Sequence, residues 1–236
     1  MLMDLRDVYT NISRRYESTN HLLTFGLDGS WRRLAGEVAL RSALEAGSPG
    51  AGPWLDLCSG TGETAGLLAS RPPGGACVIS ADFSVPMLRE GIRRRGGSLI
   101  PVAASSSALP FPDDTFGLVT VTFAARNLRS RSGLFGESLS EIRRVLRPGG
   151  VFVNLETSQP RSALFRSLMH AYAKTAVGRL GRLLTGEKEG YAYLSGSIRT
   201  FPGAPDLAAE ISSAGFSEVS WREIMLGAAA IHKGKA

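Results

Sequence analysis

The sequence predicts an α/β fold in which helices cover both faces of a mostly parallel, seven-stranded sheet. Short apolar segments alternate with helical segments, and a glycine-rich turn follows the first apolar segment. The composition, 43% hydrophobic and 20% charged, is that of an ordinary globular protein. A chain of 236 residues can bury a sizeable core without disulfides or metal, and we expect one domain over residues 1–236.

The individual elements follow from hydrophobic periodicity and from the positions of Gly and Pro. The predicted strands are residues 54–57, 78–81, 99–103, 116–123, 151–156, 218–224 and 228–232. The first predicted helix between them follows the glycine-rich turn and ends near residue 69. The others cover residues 86–95, 134–146 and 207–214. Residues 1–47 are predicted as an N-terminal helical cap with a break at 26–29, and a Gly/Pro linker follows over 47–53. Residues 160–200 interrupt the alternation and are predicted as a helical insertion that forms a lid.

Composition and charge exclude several classes of protein. The two cysteines, Cys58 and Cys77, have no Cys/His cluster near them, which argues against a disulfide framework and against a metal site. The first seven residues carry acids where a signal peptide carries bases, and no apolar run approaches the ~18–20 residues of a membrane span. We therefore expect a cytoplasmic protein. The formal net charge is +6, but the basic residues are dispersed and do not alternate with aromatics, which argues against a nucleic-acid partner.

The strongest local motif is residues 55–63 (LDLCSGTGE), where the first strand turns into a helix. Its glycines allow a ligand to approach the backbone, and the free N–H groups of the helix start favour polar or anionic ligand groups. Asp82 follows twenty residues after Gly62 and ends the second strand, where a carboxylate can accept hydrogen bonds from both ribose hydroxyls. The candidate cofactor-binding residues here are Asp56, Gly60, Thr61, Gly62 and Asp82. They indicate a nucleoside-containing cofactor, but a nicotinamide dinucleotide and a merely structural glycine turn both stay open at this point.

Two downstream motifs separate these alternatives. Residues 108–116 (ALPFPDDTF) lead into the fourth strand, and residues 144–150 (RVLRPGG) lead into the fifth. In this order and spacing, they resemble the later motifs of class I S-adenosylmethionine (SAM) methyltransferases. The resemblance implies a Rossmann-like fold with SAM as cofactor, and it makes an NAD(P)-dependent oxidoreductase the weaker alternative.

Motifs outside the cofactor-binding core narrow the resemblance further. They are residues 16–20 (YESTN) with Trp31, 123–127 (FAARN), 144–158, 191–194 (YAYL), 197–202, 214–216 (AGF) and 230–234 (AIHKG). Over residues 8–234, the chain is similar to the ubiquinone/menaquinone biosynthesis C-methyltransferase family. This resemblance implies methylation of a ring carbon on a demethylated polyprenyl quinol, such as a demethylmenaquinol or a ubiquinol precursor. A methyltransferase of the same fold for another lipophilic or small acceptor is the alternative, and a non-catalytic SAM-binding partner is a third reading.

The resemblance also assigns cofactor contacts residue by residue. Thr61, Asp82, the pair Ser105 and Ser106, and Thr122 fall at the family's cofactor-contacting positions. The family usually shows the loop sequence DLAGGTGD, which differs here at three positions, and an Asn-Ala pair where this chain has the two serines. These departures remove no indispensable group, but they separate the chain from the best-known bacterial members.

Arg126 and Asn127 are the candidate catalytic residues. They directly follow an apolar strand at its C-terminal end, where open α/β sheets bind ligands. C-methylation of a hydroquinone requires the ring to lose a phenolic proton, and a guanidinium beside the developing phenolate would stabilise it. Arginine itself is not a base at ordinary pH. A structural arginine that pairs with a neighbouring element is the alternative.

Residues 160–186 form an apolar, basic stretch without a single acid. A segment of this kind can rest on an anionic lipid surface, where polyprenylated quinols reside, and would place the enzyme peripherally at the inner face of the membrane. A lid or a helix that mediates a homodimer is the alternative use of the same residues.

Overall fold

The computed structural model describes residues 21–22, 24–46, 52–70, 75–129, 131–177 and 195–236, and these form one seven-stranded sheet. In chain order the strands are β1 (Trp54–Leu57), β2 (Val78–Asp82), β3 (Ile100–Ala103), β4 (Phe116–Thr122), β5 (Leu146–Thr157), β6 (Ser217–Ile224) and β7 (Ala229–Lys235). Their order across the sheet is β3-β2-β1-β4-β5-β7-β6. Strands β1 to β5 run parallel, and β7 lies antiparallel between β5 and β6. The prediction of a mostly parallel, seven-stranded sheet is confirmed.

Helices occupy both faces of this sheet, as predicted. They are α1 (Leu27–Glu45), α2 (Glu63–Ala69), α3 (Val85–Arg95), α4 (Ala125–Leu128), α5 (Leu134–Val145), α6 (Ala163–Tyr172) and α7 (Ala204–Ser213). A short π-helical segment, Ala173–Val177, continues α6, and residues 195–200 are also helical. Helices α1 and α2 pack on one face, and α5 and α7 pack on the other.

Apolar side chains fill both layers between sheet and helices. Every residue of β4 is buried, as expected for a central parallel strand that is covered on both faces. On one face, Phe116 and Phe152 pack with the apolar stripes of α5 and α7. On the other face, the buried stripe of α1 carries Ala35 and Ala39. Because these side chains are small, the backbone of α1 lies close to the sheet, and any side chain beside them reaches the strands directly.

The structure corrects two of the predicted boundaries. The break at residues 26–29 is earlier and shorter, because Gly26 adopts a left-handed conformation (φ 75°) and the helix already begins at Leu27. The residues 147–150 (RPGG) do not precede the fifth strand but lie inside it, since β5 begins at Leu146 and pairs there with Phe116. The register shifts immediately afterwards, which is the signature of a β-bulge that absorbs the glycines.

Several predictions fall outside the residues that the structure describes. They concern the helical cap before residue 21, most of the 47–53 linker, the 16–20 motif, the 191–194 motif and residues 178–194 of the insertion. No helix within the described ranges has both the length and the apolar character that a membrane crossing requires.

Candidate active site

The loop between β1 and α2 has two positions whose backbone conformation favours glycine. Gly60 and Gly62 have φ values of 56° and 76°, in the left-handed region. A Cβ on Gly62 would lie 2.7 Å from Cδ1 of Leu99, so a side chain there would also collide with the neighbouring strand region. Helix α3 approaches the same loop closely, since a Cβ on Gly91 would lie 2.8 Å from the carbonyl oxygen of Thr61. The loop lies at the C-terminal edge of the sheet, with Gly60 half-buried and with Thr61 and Gly62 buried.

Asp82 ends β2 and fastens this loop. One carboxylate oxygen accepts a hydrogen bond from the N–H of Gly60 at 2.8 Å, and the other accepts from the N–H of Ser84 at 2.8 Å. Burial raises the pKa of Asp82, and these two hydrogen bonds oppose the rise. Each carboxylate oxygen can accept further hydrogen bonds, so the residue retains acceptor capacity toward a ligand lying over the loop.

Asp56 lies in the interior, away from any ligand surface. Its side chain has no exposed surface, and its two oxygens accept hydrogen bonds from the N–H of Ala65 (2.9 Å) and the hydroxyl of Thr120 (2.7 Å). We predicted Asp56 as a cofactor-binding residue, but the structure places it one layer below the loop, where it ties β1, β4 and the first turn of α2 together. Through these bonds Asp56 holds the start of α2 and the loop before it in position.

The buried carboxyl of Asp56 leads to a prediction about stability and pH. Burial raises its pKa from 3.8 to about 6, against the opposing hydrogen bond from Thr120. A folded-state pKa above the unfolded value means that folding favours the protonated form. The corresponding stabilisation is complete below about pH 4 and is lost as the pH rises through about 6.

We expect the free energy of unfolding of the wild type, relative to Asp56→Asn, to fall by about 2–3 kcal/mol between pH 4 and pH 7. Urea denaturation of both proteins across this range measures the difference, and the common titration of other groups cancels. If the stability of the wild type relative to Asp56→Asn rises with pH, the raised pKa of Asp56 is contradicted.

The serine pair after β3 divides between surface and interior. Ser105 is exposed, and its hydroxyl lies 3.2 Å from that of Ser107. Ser106 is buried and accepts a hydrogen bond from Ser138 of α5 at 2.8 Å. Only Ser105 therefore presents its hydroxyl at the surface beside the β2 and β3 ends, whereas Ser106 joins this turn to the helix layer.

The two downstream motifs hold each other in place. Arg144 at the end of α5 donates to the carbonyl oxygens of Phe111 (2.9 Å) and Leu109 (3.1 Å) and pairs with Asp113 at 2.7 Å. Glu141 accepts from the N–H of Leu109 at 2.8 Å, and its pKa is lowered mainly by its hydrogen bond to Arg144. These motifs thus fix the entry into β4, which positions the end of that strand at the site.

The end of β4 carries a contact that the sequence analysis missed. Thr122 accepts a hydrogen bond from Nη1 of Arg32 at 2.6 Å, and its hydroxyl lies 2.8 Å from that of Thr64 in α2. Arg32 comes from α1, is 7% exposed, and also stacks over the ring of Phe123 with 4.9 Å between Cζ and the ring centroid. A signal existed, because Arg32 lies on the same helical stripe as the buried Ala35 and Ala39, where a charged residue is out of place.

Arg126 and Glu156 form a buried ion pair beside the same edge. Nε of Arg126 donates to one carboxylate oxygen of Glu156 at 3.1 Å, and the backbone N–H of Arg126 donates to the other at 3.1 Å. Arg126 is 7% exposed and Glu156 is fully enclosed. Asn127, the second predicted catalytic residue, is half-buried in the short helix α4. The predicted arginine is thus anchored by a carboxylate thirty residues away, which the sequence did not reveal.

The three histidines of the chain lie among the described residues, where their ring nitrogens contact other protein groups. Each of the three histidines has a protein partner: His21 contacts Asp28 (3.0 Å), His170 contacts Gln159 (2.8 Å), and His232 contacts the carbonyl oxygen of Ala204 (2.9 Å). Burial lowers the pKa of both His170 and His232. No cluster of potential metal ligands occurs among the described residues.

The sheet order arranges the candidate residues in one row along its C-terminal edge. From β3 to β5 the row runs through Ser105, Asp82, the Gly60–Gly62 turn, Thr122 with Arg32, and Arg126 with Glu156. The row crosses the boundary between β1 and β4. Successive strands are added in one direction from β1 to β3 and in the opposite direction from β4 onward, and open α/β sheets usually bind ligands at such a switch point. An elongated ligand can therefore contact several strand ends at once.

Comparisons with known proteins identify the family of this chain. The sequence profile of the ubiE/COQ5 methyltransferase family matches residues 3–236. The demethylmenaquinone methyltransferase of Mycobacterium marinum is 40% identical over 231 residues, covering 98% of this chain and 93% of that protein. The protein of the same name from Streptomyces avermitilis is 38% identical over 233 residues, covering 98% of this chain and 94% of that protein.

Solved structures show the same fold at low sequence identity. A SAM-dependent methyltransferase from Thermotoga maritima superposes with a TM-score of 0.61 at 16% identity, covering 97% of this chain and 98% of that one. The phosphoethanolamine N-methyltransferase 2 of Haemonchus contortus, solved with S-adenosylhomocysteine, gives a TM-score of 0.56 at 13% identity and covers 78% and 48%. The fold is therefore that of class I methyltransferases, as the sequence predicted. Together with the full-length family match, it establishes that the chain is a SAM-dependent methyltransferase and belongs to the ubiE/COQ5 methyltransferase family.

Proposed function

We propose that this protein methylates a ring carbon of a demethylated polyprenyl quinol, with a demethylmenaquinol as the acceptor. The observation that carries the proposal is the full-length similarity to relatives named demethylmenaquinone methyltransferase, at 38–40% identity. The placement of Arg126 beside the proposed cofactor row supports it, because this side chain can stabilise the phenolate that C-methylation requires.

The residues at the sheet edge fit the cofactor. SAM supplies a methyl group bound to a sulfonium centre. The left-handed turn at Gly60 and Gly62 shapes the loop at the strand ends, and the Asp82 carboxylate keeps acceptor capacity for ribose hydroxyls. We assign the cofactor contacts to Gly60, Thr61, Gly62, Asp82, Ser105 and Thr122, with Asp56 and Ser106 supporting them from below.

The arginine acts on the acceptor through charge. Glu156 holds the Nε side of the Arg126 guanidinium, so the group is oriented before any ligand binds. An oriented cation in a partly buried site stabilises a developing phenolate without reorganising, and it does so more strongly than it would in water. Since a guanidinium keeps its protons, the phenolic proton leaves to another acceptor, such as a water molecule held at the site.

The decisive experiment offers the acceptor directly. Purified protein is incubated with SAM carrying a labelled methyl group and with a panel of demethylated naphthoquinols, benzoquinols and smaller phenols, and the product masses are read. We expect the label on the naphthoquinol ring carbon. Methylation of oxygen or nitrogen, or labelling of an unrelated lipophilic acceptor alone, would favour the same-fold alternative that acts on another molecule.

Exposed apolar side chains lie on two elements at the C-terminal edge of the sheet. In α6, which follows β5, Leu164 is 72% exposed and Leu168 is 59% exposed, and the helix buries no residue at all. The turn between β6 and β7 presents Leu226, which is 76% exposed. This turn lies beside the start of α6, because a Cβ on Gly227 would lie 3.1 Å from Cα of Pro160.

We assign this surface to an anionic membrane, from which a polyprenylated quinol can enter. Arg166 and Lys174 supply positive charge on the same segment, whereas Arg161 is already paired with Glu223 at 2.9 Å. Apolar groups gain free energy by entering the interface, and the basic groups are attracted to anionic headgroups. The same helix would act as a lid if it closed over the acceptor, or as a dimer contact if its leucines met a second copy.

We expect the protein to co-sediment with vesicles that contain anionic lipid, and this binding to weaken as salt rises, because salt screens surface charge. The double variant Leu164→Ser, Leu168→Ser should reduce vesicle binding, whereas Leu44→Ser, a half-exposed leucine on α1, serves as the control. Light scattering of the same proteins tests the dimer alternative. Vesicle binding that does not change with anionic lipid content, with salt concentration or with the two leucine substitutions would contradict the assignment.

A further inference from the structure

Arg32 carries a buried positive charge at the cofactor edge whose hydrogen bonds are incompletely used. Its Nη1 atom donates to the hydroxyls of Thr122 at 2.6 Å and of Thr64 at 3.3 Å. Nε lies 3.3 Å from a carboxylate oxygen of Glu63, but it is enclosed from solvent and lacks a partner in hydrogen-bonding geometry. The two hydroxyls therefore occupy one nitrogen of a group that has three.

Leaving donors of a buried cation unsatisfied is costly. A guanidinium carries five N–H groups; among the described residues the hydrogen bonds of Arg32 use those of Nη1, and Glu63 faces Nε as an ion-pair partner without a hydrogen bond. Unsatisfied buried donors destabilise a protein, and more strongly when they are charged. Arg32 can therefore donate further hydrogen bonds to a ligand. The ligand group that matches a guanidinium best is a planar carboxylate.

The row of strand ends indicates which carboxylate this is. In the cofactor placement proposed above, on which this inference rests, the ribose lies over Asp82 at the end of β2, and Ser105 lies on the β3 side. If the base points toward β3, the amino-acid end of the cofactor extends the opposite way, over β1 toward β4. Thr122 and Arg32 lie there. That end of SAM bears the α-carboxylate, which is the anion of the molecule.

We propose that Arg32 binds the α-carboxylate of SAM and thereby selects ligands that carry the intact amino-acid end. Helix α1 delivers the side chain, and the threonines of α2 and β4 orient its guanidinium. The N-terminal helix is then part of the cofactor site and not only a cap over the sheet. The purely structural alternative is that Arg32 serves to fasten α1 to α2 and β4.

The two roles differ in what they predict for ligands without the carboxylate. Calorimetry compares S-adenosylhomocysteine with decarboxylated SAM, which keeps the sulfonium and the amine, and with 5′-methylthioadenosine, which lacks the whole amino-acid end. For Arg32→Met, we expect affinity for S-adenosylhomocysteine to fall by about 10- to 100-fold, the scale of a charge-assisted hydrogen bond. Affinity for the two ligands without a carboxylate should change by less than about 2-fold, well below the loss expected for S-adenosylhomocysteine.

Arg33→Met is the matched control, since Arg33 is the exposed neighbour on the same helix. Arg32→Lys keeps the charge without the two-pronged donor, so we expect it to recover part of the carboxylate-dependent affinity. It also serves if Arg32→Met does not fold, which a thermal melt shows. Equal losses for all three ligands, or no loss for S-adenosylhomocysteine, would overturn the inference. Failure of the wild type to bind S-adenosylhomocysteine would instead count against the proposed cofactor placement itself.

Discussion

Replacing Arg126 by alanine should slow methyl transfer by about 10²- to 10³-fold, with cofactor affinity nearly unchanged. The reason is that the guanidinium interacts most strongly when charge builds on the phenolic oxygen, so its loss raises the barrier more than it weakens binding. Single-turnover methyl transfer at saturating SAM measures this directly. Lysine should recover only part of the rate, because it lacks the planar pair of donors.

Removing Arg126 also breaks its ion pair with Glu156, so the effect on stability has to be separated from the effect on catalysis. Glu156 is fully enclosed, and removing Arg126 leaves its charge without a partner, which costs about 3–5 kcal/mol of stability in comparable pairs. The double variant Arg126→Ala, Glu156→Gln removes that charge and should melt at a higher temperature than Arg126→Ala alone. If a folded Arg126→Ala protein transfers methyl groups at the wild-type rate, the arginine is structural and another residue handles the acceptor.

Asp82→Ala should weaken SAM binding by about 10- to 100-fold, the range expected when a charge-assisted hydrogen bond is lost. Two effects add in this variant. The ribose loses its acceptor, and the N–H groups of Gly60 and Ser84 lose theirs, which frees the loop that forms the floor of the site. Calorimetry with S-adenosylhomocysteine gives the affinity, and a thermal melt shows whether the fold persists.

The control for Asp82 is Asp206→Ala, which removes an exposed acid in the first turn of α7, away from the row of strand ends. It should leave cofactor affinity unchanged. The variant Asp82→Asn keeps the shape of the side chain, but its amide group would face one of two backbone donors, so we expect a loss here too. Unchanged affinity in Asp82→Ala, or tight binding of NADH by the wild type, would contradict the assignment of this carboxylate.

Local patterns were sufficient for the sheet and for the cofactor loop. The four-residue strand β1 and the buried strand β4 are continuous apolar runs, and such runs identify parallel strands without knowledge of their neighbours. The turn at Gly60 and Gly62 was equally visible, because a left-handed backbone restricts the residue type at that position itself. The resemblance of the flanking motifs then identified the cofactor and the family.

Contacts between distant residues were beyond these patterns. Arg32 and Thr122 are ninety residues apart in the chain, and Arg126 and Glu156 are thirty apart. Asp56 was visible as part of the loop motif, but its enclosure beneath the loop depends on Thr120 in another strand. The break before α1 was placed too late, since the sequence around Gly26 contains turn-forming residues on both sides and the packing of α1 decides which of them joins the helix.

The sequence by itself determined the fold class, the seven strands and the family, because each of these depends on short patterns or on motifs in a fixed order. The tertiary structure decided which polar side chains lie at the C-terminal edge of the sheet and which are enclosed beneath it. Burial decides this, since an acid such as Asp56 becomes a support when the sheet encloses it, and an arginine such as Arg32 becomes a candidate ligand when a distant helix carries it to the strand ends. Burial is a property of the packed chain, and it is set by residues far away in the sequence.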